Sequence, residues 1–228
     1  MDDDGTELAQ PDLTWDPGAV PRALRFDDTY YAGADGLGET RYVFLGGNDL
    51  PTRFAPGFHI AELGFGTGLS ALAAWESWRA AGIAGPLRFT SFEAEPMAQD
   101  DRRRALAAFP GLRTLAEPLM DALPKGLGRA ELPGLCLTVI GGDARRTLPR
   151  WDGLADAWFL DGFSPARNPS LWEPPLLAEV YAHTRQGGSF ATYTAAGAVR
   201  RALATAGFAV DRVAGFGRKR HMTRGWRG

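Results

Sequence analysis

A single cysteine among 228 residues, Cys136, rules out an intramolecular disulfide, and its neighbours Leu135, Leu137 and Val139 predict a thiol buried in a strand. That usage suits a reducing, cytoplasmic setting. The three histidines, His59, His183 and His221, are far apart and lack the short paired spacings of a zinc site, so metal catalysis has no support and no metal is expected. No uninterrupted apolar run approaches the ~20 residues that span a bilayer. The opening MDDDGTELAQ also lacks the basic-then-apolar order of a signal peptide, so neither membrane insertion nor secretion is expected. Internal repeats, low-complexity tracts and long linkers are missing too, which leaves one domain with an N-terminal extension.

A strong net charge is likewise absent, at −2, but the charges are unevenly placed. Asp2, Asp3, Asp4 and Glu7 precede the first apolar segment. Residues 212–228 hold Arg212, Arg218, Lys219, Arg220, Arg224 and Arg227 with no acid, which is either a phosphate-binding patch or a solvated tail. The run Arg102-Arg103-Arg104 reads as the solvated face of a helix.

What the sequence does contain is a regular alternation of short apolar segments and helix-compatible stretches. FHIAELGF (58–65), LRFTSFE (87–93), LCLTVIGGD (135–143), DAWFLDGF (156–163) and GSFATYT (188–194) read as strands, with two more near 208–214 and 221–226. Helices fit 68–81, 96–108, 171–184, where Pro174 and Pro175 suit a first turn, and 196–205, closed by Gly207. Strands alternating with helices predict an α/β, Rossmann-like fold, with a mostly parallel seven-stranded sheet and helices on both faces, over residues 58–228. Residues 1–57 break the pattern. There LRFDDTYY and RYVFLGG read as strands joined by the turn-rich GADGLGE, giving an N-terminal β extension behind an acidic tail.

The main chemical signal is Glu62-Leu63-Gly64-Phe65-Gly66-Thr67-Gly68 at the end of the first sheet strand. Glycines there permit a tight turn and a close backbone approach to a ligand at the mouth of the sheet. A dinucleotide fingerprint would need a small residue at position 69, where this chain has Leu69, so a nicotinamide or flavin site is disfavoured. An acidic-x-Gly-x-Gly-x-Gly loop instead suits S-adenosylmethionine, which has no pyrophosphate to place on a helix N-terminus. Glu93, ending the second strand, is placed to accept from ribose hydroxyls, with Glu95 as its rival. Asp143, beside Ala144 after the third strand, is placed to accept from an adenine amino group. Either acid taken alone is more often a helix cap or a solvated loop residue, and it is their joint position at successive strand ends that favours a cofactor site.

The fourth strand runs into Asp161-Gly162-Phe163-Ser164-Pro165-Ala166-Arg167-Asn168-Pro169. Asp161 falls at the carboxyl edge of the sheet, followed by a proline-punctuated loop able to wall a substrate pocket. Its alternative role is to cap that loop.

FDDTYY (26–31), ETRYVFLGGNDLPTRF (39–54), ELGFGTGL (62–69), SFE (91–93), DAWFLDGFSPARNP (156–169) and GFGRKR (215–220) together resemble the methyltransferase domain of the tRNA 5-methylaminomethyl-2-thiouridine biosynthesis proteins, the MnmC/MnmD family. The resemblance implies a class I methyltransferase fold. It implies methyl transfer from S-adenosylmethionine to the primary amine of 5-aminomethyl-(2-thio)uridine at the tRNA wobble position, with the anticodon loop as partner. Bifunctional members carry a C-terminal flavin oxidoreductase domain, for which this chain has no room, so the resemblance implies either a stand-alone methyltransferase or an excised half of a bifunctional protein, with FAD not expected here and a separate flavin oxidoreductase acting upstream consistent with the reading. Ser70, Arg167, Ser170 and His221 depart from the family pattern.

An alkylammonium near pKa ~10.4 facing an ordinary aspartate near ~3.9 makes direct proton abstraction uphill by roughly 9 kcal/mol. Asp161 is therefore expected to orient the amine and stabilise the cationic product, with water removing the proton. Tyr30, Tyr31, Phe163 and Trp172 are the aromatic candidates for stacking a base, although each taken alone is more often a core residue, with Pro165 for shaping the pocket and Arg218, Lys219 and Arg220 for meeting phosphates. Two other readings remain open: methylation of a free small amine, and a non-catalytic cofactor-binding subunit.

Overall fold

A computed structural model describes residues 8–33 and 35–228; the acidic residues Asp2, Asp3, Asp4 and Glu7 lie outside the described part. In chain order the elements are β1 (Leu13–Asp16), β2 (Val20–Ala23), β3 (Asp28–Thr29), α1 (Gly36–Thr40), β4 (His59–Leu63), α2 (Leu69–Ala81), β5 (Leu87–Glu93), α3 (Gln99–Leu106), α4 (Arg113–Ala122), β6 (Gly128–Leu132), β7 (Leu135–Gly141), α5 (Ala144–Thr147), β8 (Ala155–Leu160), α6 (Pro174–Ala182), β9 (Thr184–Thr192), α7 (Gly197–Ala206), β10 (Ala209–Ala214) and β11 (His221–Trp226).

The main sheet has eight strands in the order β10-β11-β9-β8-β4-β5-β7-β6. Strands β9, β8, β4, β5 and β7 are parallel, while β11 runs against both its neighbours and β6 against β7. The fold is thus the mostly parallel α/β sheet expected, with eight strands in place of seven. The added strand β6 makes a hairpin with β7 through Pro133-Gly134, Leu132 pairing with Leu135. Gly134 has φ +86°, which a Pro-Gly turn of this kind requires.

Side chains alternate across β4, so Ile60 joins one apolar layer with Leu72, Trp78, Phe89 and Phe159, while Ala61 and Leu63 join another with Phe92, Trp158, Leu177 and Leu203. Helices therefore cover both faces. Successive strands leave β4 in opposite directions, to β5 on one side and β8 on the other, so a crevice opens at the carboxyl ends of these three strands. Among the described residues no helix is long and apolar enough to cross a membrane.

Three readings of the sequence are corrected. RYVFLGG is helical: α1 continues as a π-helical turn over Arg41–Leu45 and a tighter turn over Gly46–Asn48. Asp35 starts it by accepting from the Gly38 N–H, and Asn48 ends it by donating to the Phe44 and Trp158 carbonyls at 2.9 and 3.2 Å. The β-branched and aromatic residues that suggested a strand are instead the buried face of this turn, with Phe44 stacked on Phe159. The run 102–104 is a solvated face only in part, because Arg102 is buried while Arg103 is half-exposed and Arg104 exposed. Arg102 is buried and donates to the Leu123 and Pro124 carbonyls, Arg103 meets Glu117 and Asp121, and Arg104 lies 4.0 Å from the Trp15 ring centroid. Burial brings the Arg102 pKa down to about 10. Cys136 is half-buried, since it points to the opposite side of β7 from the buried Leu135 and Leu137.

The N-terminal strands form a three-stranded meander, β1-β2-β3, outside the main sheet. Tyr31 anchors the chain that follows, donating its hydroxyl to the Ala19 and Ala105 carbonyls and so fixing it to α3. Tyr31, Val43 and Phe44 belong to the same apolar layer as Ile60 and Leu72.

Candidate active site

The crevice at the strand ends is a cavity of about 730 Å³. Its first wall is the glycine loop. Gly64, Gly66 and Gly68 have φ of +86°, +52° and +84°, and Gly68 caps α2. A Cβ on Gly66 would sit 3.0 Å from the Tyr30 ring, and one on Gly64 would sit 3.4 Å from the Gly162 Cα, so the loop is glycine both for its backbone and for its neighbours. Glu93 holds this loop in place: its carboxylate accepts from the Gly66 and Glu95 N–H groups, each at 2.8 Å. Burial raises the Glu93 pKa and those backbone donors oppose the rise.

Asp161 stands at the end of β8. One carboxylate oxygen accepts from the Gly162 N–H at 2.7 Å, and the other faces the Ser70 hydroxyl at 3.5 Å. Burial pushes its pKa up to about 7, Glu39 adds to the rise, and Lys219 and Ser70 oppose it. Behind the wall Glu62 is fully buried, with the Ser91 hydroxyl donating to one oxygen at 2.7 Å and the other oxygen without a hydrogen-bond partner among the described residues. Burial, then the Asp161 carboxylate, holds the Glu62 pKa well above the usual range.

The opposite wall is assembled from separate segments. Phe163 stacks on Phe26 at 4.7 Å between centroids and meets the edge of Tyr30 at 5.1 Å. Asp28 accepts from the Ser164 N–H at 2.9 Å, and Asp27 pairs with Arg167 at 2.9 Å, so the N-terminal segment and the proline loop are tied together. Tyr193 donates to the Gly162 carbonyl at 2.8 Å.

A family profile described as S-adenosyl-L-methionine-dependent methyltransferase matches residues 111–228. The chain belongs to the S-adenosyl-L-methionine-dependent methyltransferases. It is 45% identical over 232 residues to the tRNA 5-methylaminomethyl-2-thiouridine biosynthesis bifunctional protein MnmC of Caulobacter vibrioides, covering 97% of this chain and 39% of that one. To the protein of the same name from Stutzerimonas stutzeri it is 43% identical, covering 94% and 34%. The chain thus spans less than two fifths of the length of these curated relatives. Among solved structures, MNMC2 from Aquifex aeolicus superposes with a TM-score of 0.78 at 23% identity, covering 96% of this chain and 70% of that one. TrmN from Thermus thermophilus gives 0.51 at 19% identity, covering 80% and 47%. Both show the shared fold.

The methyltransferase's cavity fits S-adenosylmethionine. Its volume lies within the usual range for ligand pockets. Glu93 at the glycine loop keeps free lone pairs for further donors, and Gly66 leaves the room beside Tyr30 that any side chain would fill.

Of the residues singled out from sequence, Gly64, Phe65, Gly66, Thr67, Glu93, Glu95, Asp143, Ala144, Asp161, Tyr30, Tyr31, Phe163 and Lys219 line this cavity together. Glu62 and Gly68 lie behind its wall, and Pro165, Arg218 and Arg220 are also outside the lining. Asp143 caps α5 by accepting from the Arg145 N–H, and its carboxylate is paired with the Arg145 side chain at 2.6 Å; these hydrogen bonds lower its pKa. Tyr31 is a core residue, its pKa raised to about 12 by burial, and Trp172 is buried with its indole N–H on the Phe163 carbonyl. Tyr31 still borders the cavity, whereas Trp172 is not among the lining residues.

Sequence reasoning missed Tyr193, Glu39, Phe26 and Asp28, all of which line the cavity. Tyr193 follows β9 directly, so the strand-end rule that selected Glu93 and Asp161 would have found it. Glu39 opens a segment that carries only the family resemblance, and it sits on a helix where a turn leading into a strand was expected, so its role in the site was not marked.

Proposed function

We propose that this chain transfers a methyl group from S-adenosylmethionine to the primary amine of 5-aminomethyl-(2-thio)uridine at the wobble position of tRNA, giving the 5-methylaminomethyl product. The observation that carries the reading is a desolvated carboxylate, Asp161, between the glycine loop on one side and the Phe26, Tyr30 and Phe163 rings on the other. Similarity to relatives named for 5-methylaminomethyl-2-thiouridine biosynthesis supports the choice of substrate. Glu93 and the glycine loop would hold the cofactor, with Asp143 and Ala144 lining its far end, and the three aromatic rings would take an unstacked pyrimidine. Arg218 and Arg220, exposed outside the mouth, would meet phosphates.

When bound, S-adenosylmethionine supplies an electrophilic methyl group on a sulfonium. Asp161 accepts a hydrogen bond from the substrate amine and so aims its lone pair, which is the proximity part of the catalysis. With its pKa near 7, proton transfer from an ammonium at ~10.4 costs roughly 5 kcal/mol, about half the figure for an ordinary aspartate. Desolvation of the ammonium narrows the gap further. Asp161 is thereby a competent acceptor of the proton that nitrogen sheds, and its ionised form stabilises the secondary ammonium product. This chemistry requires neither a flavin nor a metal ion, and a prior reaction, which the family resemblance assigns to a flavin oxidoreductase, must deliver the amine.

Methyl transfer from labelled cofactor to tRNA from cells lacking this modification tests the reading, with nucleoside analysis of the product. Label in 5-methylaminomethyl-(2-thio)uridine is the expected result. Label absent from tRNA but present in free small amines would overturn it.

A further inference from the structure

Glu39, Tyr193 and Lys219 form a cluster at the cavity wall that the mechanism above does not use. The Lys219 ammonium lies 2.7 Å from a Glu39 carboxylate oxygen and 4.3 Å from the centroid of the Tyr193 ring. All three residues line the cavity that holds Asp161. Tyr193 is fixed there by its hydroxyl bond to the Gly162 carbonyl, one residue from Asp161. The Glu39 side chain is only 14% exposed, whereas that of Lys219 is 45% exposed. Lys219 reaches in from the turn after β10, where Gly217 has φ +57° and the Lys219 N–H donates to the Phe216 carbonyl. The two ends of the ion pair therefore differ: the carboxylate and the ring are built into the wall, and the ammonium is a visitor on a long, flexible stem.

A carboxylate beside an aromatic face is the pairing that binds an ammonium by charge-assisted hydrogen bonding and cation–π attraction together. The group that fills it here, a primary ammonium on a methylene, is chemically the same as the aminomethyl group of the proposed substrate. We propose that Glu39 and the Tyr193 ring form the subsite that receives the substrate's ammonium, and that Lys219 is a tethered occupant which that ammonium must displace. The assignment rests on the function proposed above and deepens it: Glu39 sets specificity for a cationic amine, and Lys219 discriminates against weakly held free amines.

The energetic consequence follows from competition. A site open only a tenth of the time binds its ligand about tenfold more weakly than an open one. A small amine bears this full cost. A tRNA substrate offsets it with phosphate contacts, and the displaced lysine, flanked by the exposed Arg218 and Arg220, joins those contacts.

The test uses the full chain with 5-aminomethyluridine as probe and uridine as the control without an amine. In the wild type, saturating 5-aminomethyluridine raises the acetylation rate of Lys219 by acetic anhydride several-fold, as mapped by mass spectrometry, and uridine does not. Glu39→Gln raises that rate without any ligand. Lys219→Met binds 5-aminomethyluridine about tenfold more tightly than the wild type by calorimetry, the gain disappears in Lys219→Met with Glu39→Gln, and uridine binding is equal in all forms. Thermal midpoints verify folding, and Lys219→Gln replaces Lys219→Met if that variant is unstable. Lys219 reactivity unchanged by 5-aminomethyluridine, or an affinity gain that survives Glu39→Gln, would overturn the proposal. Either result could coexist with normal tRNA methylation, in which case the subsite fails alone. Displacement of Lys219 by the probe, with no methylation of tRNA, would keep the subsite and remove the tRNA function.

Discussion

The two walls of the cavity are built in different ways. The cofactor wall comes from one continuous loop, residues 62–68, with Glu93 pinning Gly66 from the neighbouring strand. The substrate wall is drawn from five separate places, around Phe26, Glu39, Phe163, Tyr193 and Lys219, and is held by contacts between residues far apart in sequence, such as Asp28 with Ser164 and Glu39 with Lys219. The first is set by local backbone geometry, which a single side chain can ruin. The second is set by several modest contacts, each removable with a partial loss. Asp161 stands where the walls meet, and burial raises its pKa to about 7.

The largest effect should come at that junction. Between pH ~3.8 and ~7 the unfolded chain has lost the Asp161 proton while the folded protein keeps it, so folded stability falls as pH rises through that window. A rise of roughly 3 units corresponds to about 4 kcal/mol, reduced to about 2 kcal/mol by solvent reaching the group through the cavity mouth. Asp161→Asn removes this term. The variant should match the wild type near pH 3.5 and exceed it in stability at pH 8, as denaturant titrations at the two pH values will show; equal stability at both would mean the carboxylate is not strained by burial.

A second substitution probes the cofactor wall by itself. Gly66→Val places a β-branched residue at φ +52° and crowds Tyr30, so S-adenosylmethionine affinity should drop at least tenfold, about 1.4 kcal/mol. Calorimetry with S-adenosylhomocysteine measures this directly, and unchanged affinity would remove the glycine loop from the site.

The contrast between the walls also explains what was legible from sequence. The glycine loop, Glu93 and Asp161 follow strands whose apolar runs are plain, and position at a strand's carboxyl end carries chemical meaning in a parallel sheet. Glu39 and Phe26 open two of the segments that carry the family resemblance but follow no strand end that would mark them as site residues; the packing of α1 and the N-terminal segment against the strand ends brings them in. The same cause lay behind the misread RYVFLGG, where tertiary burial overrode a strand-like composition. Strand β6 was a different kind of miss, since Pro133-Gly134 is a readable turn signal.

A smaller effect should mark the substrate wall. Phe163→Ala removes one of three neighbouring rings and should raise KM for tRNA by roughly fivefold, about 1 kcal/mol, with cofactor affinity unchanged. A parallel loss of cofactor affinity would show that the two walls are not separable.

The most direct test of the account is the single-turnover methylation rate of Asp161→Asn with cofactor and amine-bearing tRNA already bound. Asparagine keeps an oxygen to accept from the Gly162 N–H, and so preserves the loop, but it carries no charge for the amine. If Asp161 takes part in the chemistry, the rate falls on the order of 10²-fold, about 3 kcal/mol, while cofactor affinity is unchanged. An Asp161→Asn enzyme that methylates at the wild-type rate would contradict the account and leave Asp161 as a loop cap.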